Sequence, residues 1–127
     1  MNPAEHIPAP QRFLFICRSA PFGSAGFAAG LDLLLTAATF EQPVQLVFTG
    51  DGVFQLAQEQ DSTVIGVKNP ALGLSALALY DVSEVYVDAD AAAAHELDES
   101  SFSIAVDTID AAGIQALICA ADQVVII

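Results

Sequence analysis

Phe13-Leu14-Phe15-Ile16-Cys17 is the stretch on which the fold turns. All five residues are apolar, with no polar residue at alternate positions. A strand with one wet face would alternate, so this one is expected to be buried on both faces, as strands of parallel sheets are. Pro21 and Gly23 mark Arg18 to Ser24 as a loop. Beyond it Phe27, Leu31, Leu34, Leu35 and Ala38 recur at three- and four-residue steps. That spacing predicts a helix capped by Ser24 and running to about Phe40. Pro43 bars its continuation.

The same alternation of strand and helix continues outward. Val44 to Thr49 reads as a second strand and Gly50-Asp51-Gly52 as a tight turn, with Asp51 capping a short helix from Val53 to Gln58. Gln58 to Lys68 is polar and reads as irregular. Asn69-Pro70 opens a helix to about Tyr80, with Leu72, Ala76 and Leu79 on one face. Val85 to Val87 forms a third strand, and Asp88 to Ala94 a short helix. Phe102 to Val106 is expected as a fourth strand, with Asp107 or Thr108 capping a last helix to about Ala120. Val124 to Ile127 is the fifth strand, and four aliphatic residues in a row predict that it is buried. The fold class is α/β: a single-domain three-layer sandwich of about five mostly parallel strands with helices on both faces. Residues 1–11 read as a flexible leader and residues 12–127 as the domain. Ligands and partners of such sheets meet the loops at the carboxyl ends of the strands. Here those loops are Arg18–Ser24, Gly50–Asp51, Asp88–Ala91 and Asp107–Thr108.

Composition agrees with one globular domain. The 127 residues are 54% hydrophobic and 15% charged, enough apolar material for a core. Sixteen acidic residues face only Arg12, Arg18 and Lys68, for a net charge of -13. Such a surface repels phosphate, which argues against direct nucleic-acid binding. The acidity serves either solubility or complementarity to a basic partner. No apolar run approaches the roughly 20 residues of a membrane helix. The polar, Pro-containing start lacks the basic and apolar regions of a signal peptide, so a cytoplasmic location is expected.

Few residues suggest chemistry. Cys17 and Cys119 form no metal-like spacing, and His6 and His95 are the only histidines, so no metal site and no cofactor are expected. Arg18 beside Cys17 could favour a thiolate, and a sulfurtransferase using Cys17 is the enzymatic alternative. Against it, Cys17 completes an apolar strand and Cys119 lies in Leu117-Ile118-Cys119-Ala120, so both read as core. Asp51, Asp88, Asp90 and Asp107 fall on one predicted edge and could bind Mg²⁺, but capping the following helices accounts for them better. His95 reads as a surface residue. Gly23, Gly26 and Gly30 match no phosphate-binding fingerprint. A stand-alone ligand-binding module would need a deep pocket bordered by Arg18 and Asp51.

Four segments together resemble one family. Arg18-Ser19-Ala20-Pro21-Phe22-Gly23, Ala29-Gly30-Leu31-Asp32-Leu33-Leu34-Leu35, Gly50-Asp51-Gly52-Val53-Phe54-Gln55-Leu56 and Ala78-Leu79-Tyr80-Asp81-Val82 are similar to the loop and helix motifs of TusC/DsrF subunits. The Gly50–Leu56 segment is the most specific, and the likeness spans about Phe13 to Ile127. The resemblance implies a small α/β subunit of the DsrE/DsrF/DsrH (TusBCD) sulfur-relay family. In that family three related chains form a hexamer, a dimer of heterotrimers. The complex passes persulfide sulfur towards 2-thiouridine in tRNA or serves the oxidation of stored sulfur. The sulfur-carrying cysteine belongs to the DsrE/TusD-type chain, in the loop after its third strand, and the C/F-type chain lacks it. In this sequence Val87 or Asp88 stands at that place, and a carboxylate cannot carry a persulfide. Ala91 to Ala94 replaces the Arg-bearing helix start typical of the family. The implied function is that of a non-catalytic subunit acting by assembly with DsrE/TusD-like and DsrH/TusB-like sister subunits, a heterohexamer, with a homo-oligomer conceivable for the isolated chain. Phe22, Phe27, Phe54 and Tyr80 are the candidate partner contacts.

Overall fold

A computed structural model describes residues 10–20, 26–57, 74 and 76–127. Its five strands, β1 (Phe13–Cys17), β2 (Val44–Phe48), β3 (Val85–Asp88), β4 (Asp107–Ile109) and β5 (Gln123–Ile126), form one sheet in the order β4-β3-β2-β1-β5. Every pairing is parallel. Helices α1 (Gly26–Thr39), α2 (Ala76–Leu79), α3 (Ala89–Ala94) and α4 (Ala111–Ala120) alternate with the strands, with 3-10 turns at Gly50–Leu56 and Glu99–Ser101.

The opening strand behaves as its composition dictates. Successive side chains of a strand point to opposite faces. Phe15 and Cys17 enter a large core with Phe27, Leu31 and Leu34 of α1, Val53 and Leu56 of the first 3-10 turn, and Leu77 of α2. Leu14 and Ile16 enter a smaller core with Val47, against which Ile114 and Leu117 of α4 and Ala121 pack. Helices therefore cover both faces, unequally. The second face is served by α4, which connects β4 at one edge to β5 at the other.

Several expected details are corrected. The fourth strand is Asp107–Ile109, not Phe102–Val106. Phe102 is buried in the large core and makes an isolated antiparallel bridge to Ala57 instead. Since Asp107 and Thr108 belong to that strand, neither caps the last helix. Asp110 does, its Oδ1 accepting the Gly113 N–H at 2.8 Å. The turn at Gly50–Leu56 has Thr49 at its N-cap position without a side-chain bond, and Asp51 lies within its first turn rather than capping it. The fifth strand is a sheet edge, and Val124 and Ile126 are exposed. Cys119 is exposed as well, because Ile114, Leu117 and Ala121 at three- and four-residue steps face the sheet and leave Cys119 outside. The caps expected at Ser24 and Asn69-Pro70, the irregular stretch from Gln58 and the first nine residues of the leader lie outside the described residues.

Candidate functional edge at the carboxyl ends of the strands

The carboxyl ends of β1, β2 and β3 gather the candidate residues. At β3 the chain ends on Asp88, whose two carboxylate oxygens have separate tasks. Oδ1 accepts the Asp90 N–H at 3.1 Å and caps α3. Oδ2 accepts the Thr49 hydroxyl at 2.7 Å, tying the end of β2 to the end of β3. Asp88, one of the two residues (with Val87) expected where the sister-type chain carries its cysteine, is thus engaged on both oxygens.

At β1 the arrangement is built around a carbonyl. The Cys17 thiol and the Gln55 amide both point to the Ser19 carbonyl oxygen, at 3.8 and 3.0 Å. Cys17 is fully buried, and burial pushes its thiol up to about 11 from an ordinary 9.0, the bond to Ser19 only partly offsetting this. A thiol in that state is protonated at neutral pH and is not a nucleophile. Gln55 is buried too, and its Oε1 has no hydrogen-bond partner among the described residues. Gly52 lets the 3-10 turn press on β1. A Cβ there would stand 2.1 Å from the Cys17 carbonyl oxygen.

Between the 3-10 turn and α3 lies a pair that sequence reading missed. His95 Nε2 is 3.4 Å from Asp51 Oδ1, and the His95 ring packs on Phe54 with centroids 4.5 Å apart and the planes tilted by 48°. His95 is half-buried and bridges two elements rather than standing alone on the surface. No local spacing signals the pair, because it forms only when parallel strands bring the two carboxyl-end segments side by side. The Gln55 contact was open to detection only through its place in the Gly50–Leu56 segment.

The four acidic candidates are not brought together. Asp107 begins β4, opposite Tyr86, and so lies toward the amino end of its strand. Asp51 faces His95, and Asp88 caps α3. No group of three or more His, Cys, Asp or Glu side chains able to hold a metal occurs among the described residues. Two clefts lined by described residues lie at the amino ends of β2 and β3, away from Arg18 and Asp51: one includes Pro43, Tyr80 and Glu84, the other Leu77, Val82 and Ile104. Of the aromatic candidates, Phe27 is a core residue, 5% exposed and packed on Phe48, which corrects its expected place on a partner surface. Phe54 is half-buried against His95, Tyr80 is exposed, and Phe22 lies outside the described residues. Among the described helices none is long and apolar enough to cross a membrane.

The fold and this edge define a small parallel α/β protein whose carboxyl-end loops are fastened to one another by side-chain bonds. Comparison with known proteins narrows the class. Residues 11–126 match the model of the DsrE/DsrF-like family, and the chain belongs to that family. It is 32% identical to the intracellular sulfur oxidation protein DsrF of Allochromatium vinosum, across 90% of this chain and 94% of that one. It is 31% identical to a TusC homologue of Aliivibrio fischeri, across 91% and 98%. Among solved structures it resembles the ychN protein of E. coli, with a TM-score of 0.80 at 18% identity over 92% of this chain and 99% of that one. A protein of unknown function from Methanobacterium thermoautotrophicum shares the fold with a TM-score of 0.60 at 13% identity, over 86% and 89%.

Proposed function

We propose that this chain is a non-catalytic subunit of a sulfur-relay complex, acting by assembly with DsrE/TusD-like and DsrH/TusB-like sister chains. The observation that carries the reading is Asp88. It ends β3, and with Val87 it is one of the two residues that the resemblance sets where the sister chain has its relay cysteine; both its oxygens are bound. Relay requires a thiolate that forms and passes on a persulfide, and a carboxylate offers neither step.

The two thiols of the chain support the same reading. Cys17 is buried and protonated, which weighs against the alternative of a sulfurtransferase using Cys17. Cys119 is exposed on α4, the helix that packs on the opposite face of the sheet from α3. Similarity to relatives named DsrF and TusC supports a sulfur-relay role, which in this reading serves either thiolation of tRNA or sulfur oxidation. Exposed Tyr80 and half-buried Phe54 serve as partner contacts in this reading.

Co-expression of the tagged chain with DsrE-like and DsrH-like chains from the same genome, followed by native mass spectrometry, tests the proposal. A complex holding the three chains in equal numbers is expected. A chain that stays alone in the presence of both would refute it.

A further inference from the structure

The rim of the sheet at β5 carries a second, independent surface. Gln123 N–H donates to the Arg12 carbonyl and Ile127 N–H to the Ile16 carbonyl. Backbone groups of a strand alternate sides with a period of two. Residues 123, 125 and 127 therefore bond inward to β1, and Val124 and Ile126 turn both N–H and C=O outward. No described residue meets them. Their side chains share one face and are 43% and 64% exposed. Ile118 of α4, the helix covering that face, is exposed too. Edge strands are ordinarily blunted by Lys, Pro, a bulge or a covering segment, and β5 has none of these among the described residues.

We propose that β5 pairs with β5 of a second copy of this chain, antiparallel about a twofold axis through Val125. In this register Val124 of each copy opposes Ile126 of the other, and every outward donor and acceptor on both edges finds a partner. The two aliphatic pairs form one ladder on the α4 face, continuous with Ile118. Charge favours the same arrangement. Arg12 and Arg18, two of the three cations in the sequence, flank this edge: the Arg12 carbonyl accepts from Gln123 and the Arg18 N–H donates to the Ile127 carbonyl. Antiparallel pairing sets the end that holds both Arg12 and Asp122, whose Oδ2 accepts the Arg12 backbone N–H at 2.8 Å, beside the Arg18 end of the other copy, twice by symmetry, so that no uncompensated carboxylate cluster meets another at this rim. The remaining negative charge is spread over the molecule and is screened beyond about 8 Å at physiological ionic strength. The inference does not depend on the sulfur-relay reading. Phe54 and Tyr80 lie beside β2 and β3, so the contacts proposed there and the β5 rim do not compete.

Sedimentation equilibrium of the purified full chain over a wide concentration range is the test. A reversible monomer–dimer equilibrium is expected. Val124→Pro removes an outward donor yet leaves the bonds to β1 intact, because Pro is tolerated where its nitrogen faces away from the sheet. Ile126→Lys adds a charge to an exposed position. Both variants are expected to be monomeric with unchanged circular dichroism and, at concentrations where the unaltered chain is itself monomeric, an unchanged unfolding midpoint. In a Cys119→Ser background, Val125→Cys reports the register without relying on either variant. Opposed residues of a non-hydrogen-bonded antiparallel pair have Cα atoms about 4.5 Å apart, within disulfide range. Oxidised glutathione is therefore expected to yield covalent dimers. A chain monomeric at every concentration, or a dimer that persists in both edge variants, or a Val125→Cys chain that fails to cross-link, would overturn the proposal. So would association only with a different protein through this rim.

Discussion

At Cys17 the fold withholds ionisation from a thiol that has an arginine next to it in sequence. In the unfolded chain the thiol ionises near its ordinary 9.0, and in the folded chain only near 11. Between those values the unfolded state holds fewer protons, so stability falls as pH rises, by at most about 1.4 kcal/mol per pH unit. Below 9.0 the contribution is intact. Urea unfolding across this range should show that slope, and Cys17→Ala should reduce it. Thiol labelling at neutral pH should modify Cys119 at once and Cys17 only on unfolding. Gly52 gives a second residue-scale prediction. An added methyl would meet backbone atoms of Cys17, which cannot rotate away, so Gly52→Ala should cost about 1–3 kcal/mol in denaturant unfolding. The buried state of Cys17 was legible in the sequence from its place in an apolar run. The exposure of Cys119 was not, because an apolar quartet on a helix does not say which side meets the sheet.

At the scale of elements, three helices end in the same unusual way. Glu41, Asp81 and Glu96 adopt positive φ values of 60, 60 and 57°. At each end two backbone bonds close the turn, as in Gln42 N–H to Ala37 C=O and Glu41 N–H to Ala38 C=O. This closure ordinarily employs glycine, since a left-handed conformation costs other residues about 1–2 kcal/mol. Glu41→Gly, Asp81→Gly and Glu96→Gly should each stabilise the chain by about 0.5–1 kcal/mol after the added flexibility of glycine is deducted. Removing the cap of α4 should act oppositely, with Asp110→Ala costing about 1 kcal/mol. Thermal unfolding checks both sets. Strands β1, β2 and β3 and helix α1 were legible because runs or periods of apolar residues identify them. Strand β4 was not: Asp107-Thr108-Ile109 has one apolar residue, and it becomes a strand because β3 offers an edge to pair with. Phe102-Ser103-Ile104-Ala105-Val106 looked more like a strand and instead follows the second 3-10 turn, burying Phe102 in the large core.

Across the whole molecule, charge and assembly set the behaviour. With sixteen carboxylates against three cations, and His95–Asp51 the one contact of a basic side chain with a carboxylate among the described residues, self-repulsion opposes the compact state. Added salt screens it, so the unfolding temperature should rise with sodium chloride at neutral pH; an unchanged value would mean that the charges are too far apart to matter. The parallel sheet and its layers were legible from the alternation of elements, but the order of strands was not. An aliphatic run reads alike at the centre of a sheet and at its rim, which is why β5 was expected to be buried. The carboxyl-end pairs Thr49–Asp88 and Asp51–His95 escaped for the same reason, since they depend on which strands become neighbours. The central claim is that this chain serves sulfur relay without carrying sulfur. Its most direct test is sulfur transfer by a reconstituted complex, with the sister chains from the same genome, in which this chain bears Cys17→Ala and Cys119→Ser. The account predicts an intact complex with the transfer rate of the unaltered one; an intact complex that no longer transfers sulfur would contradict it.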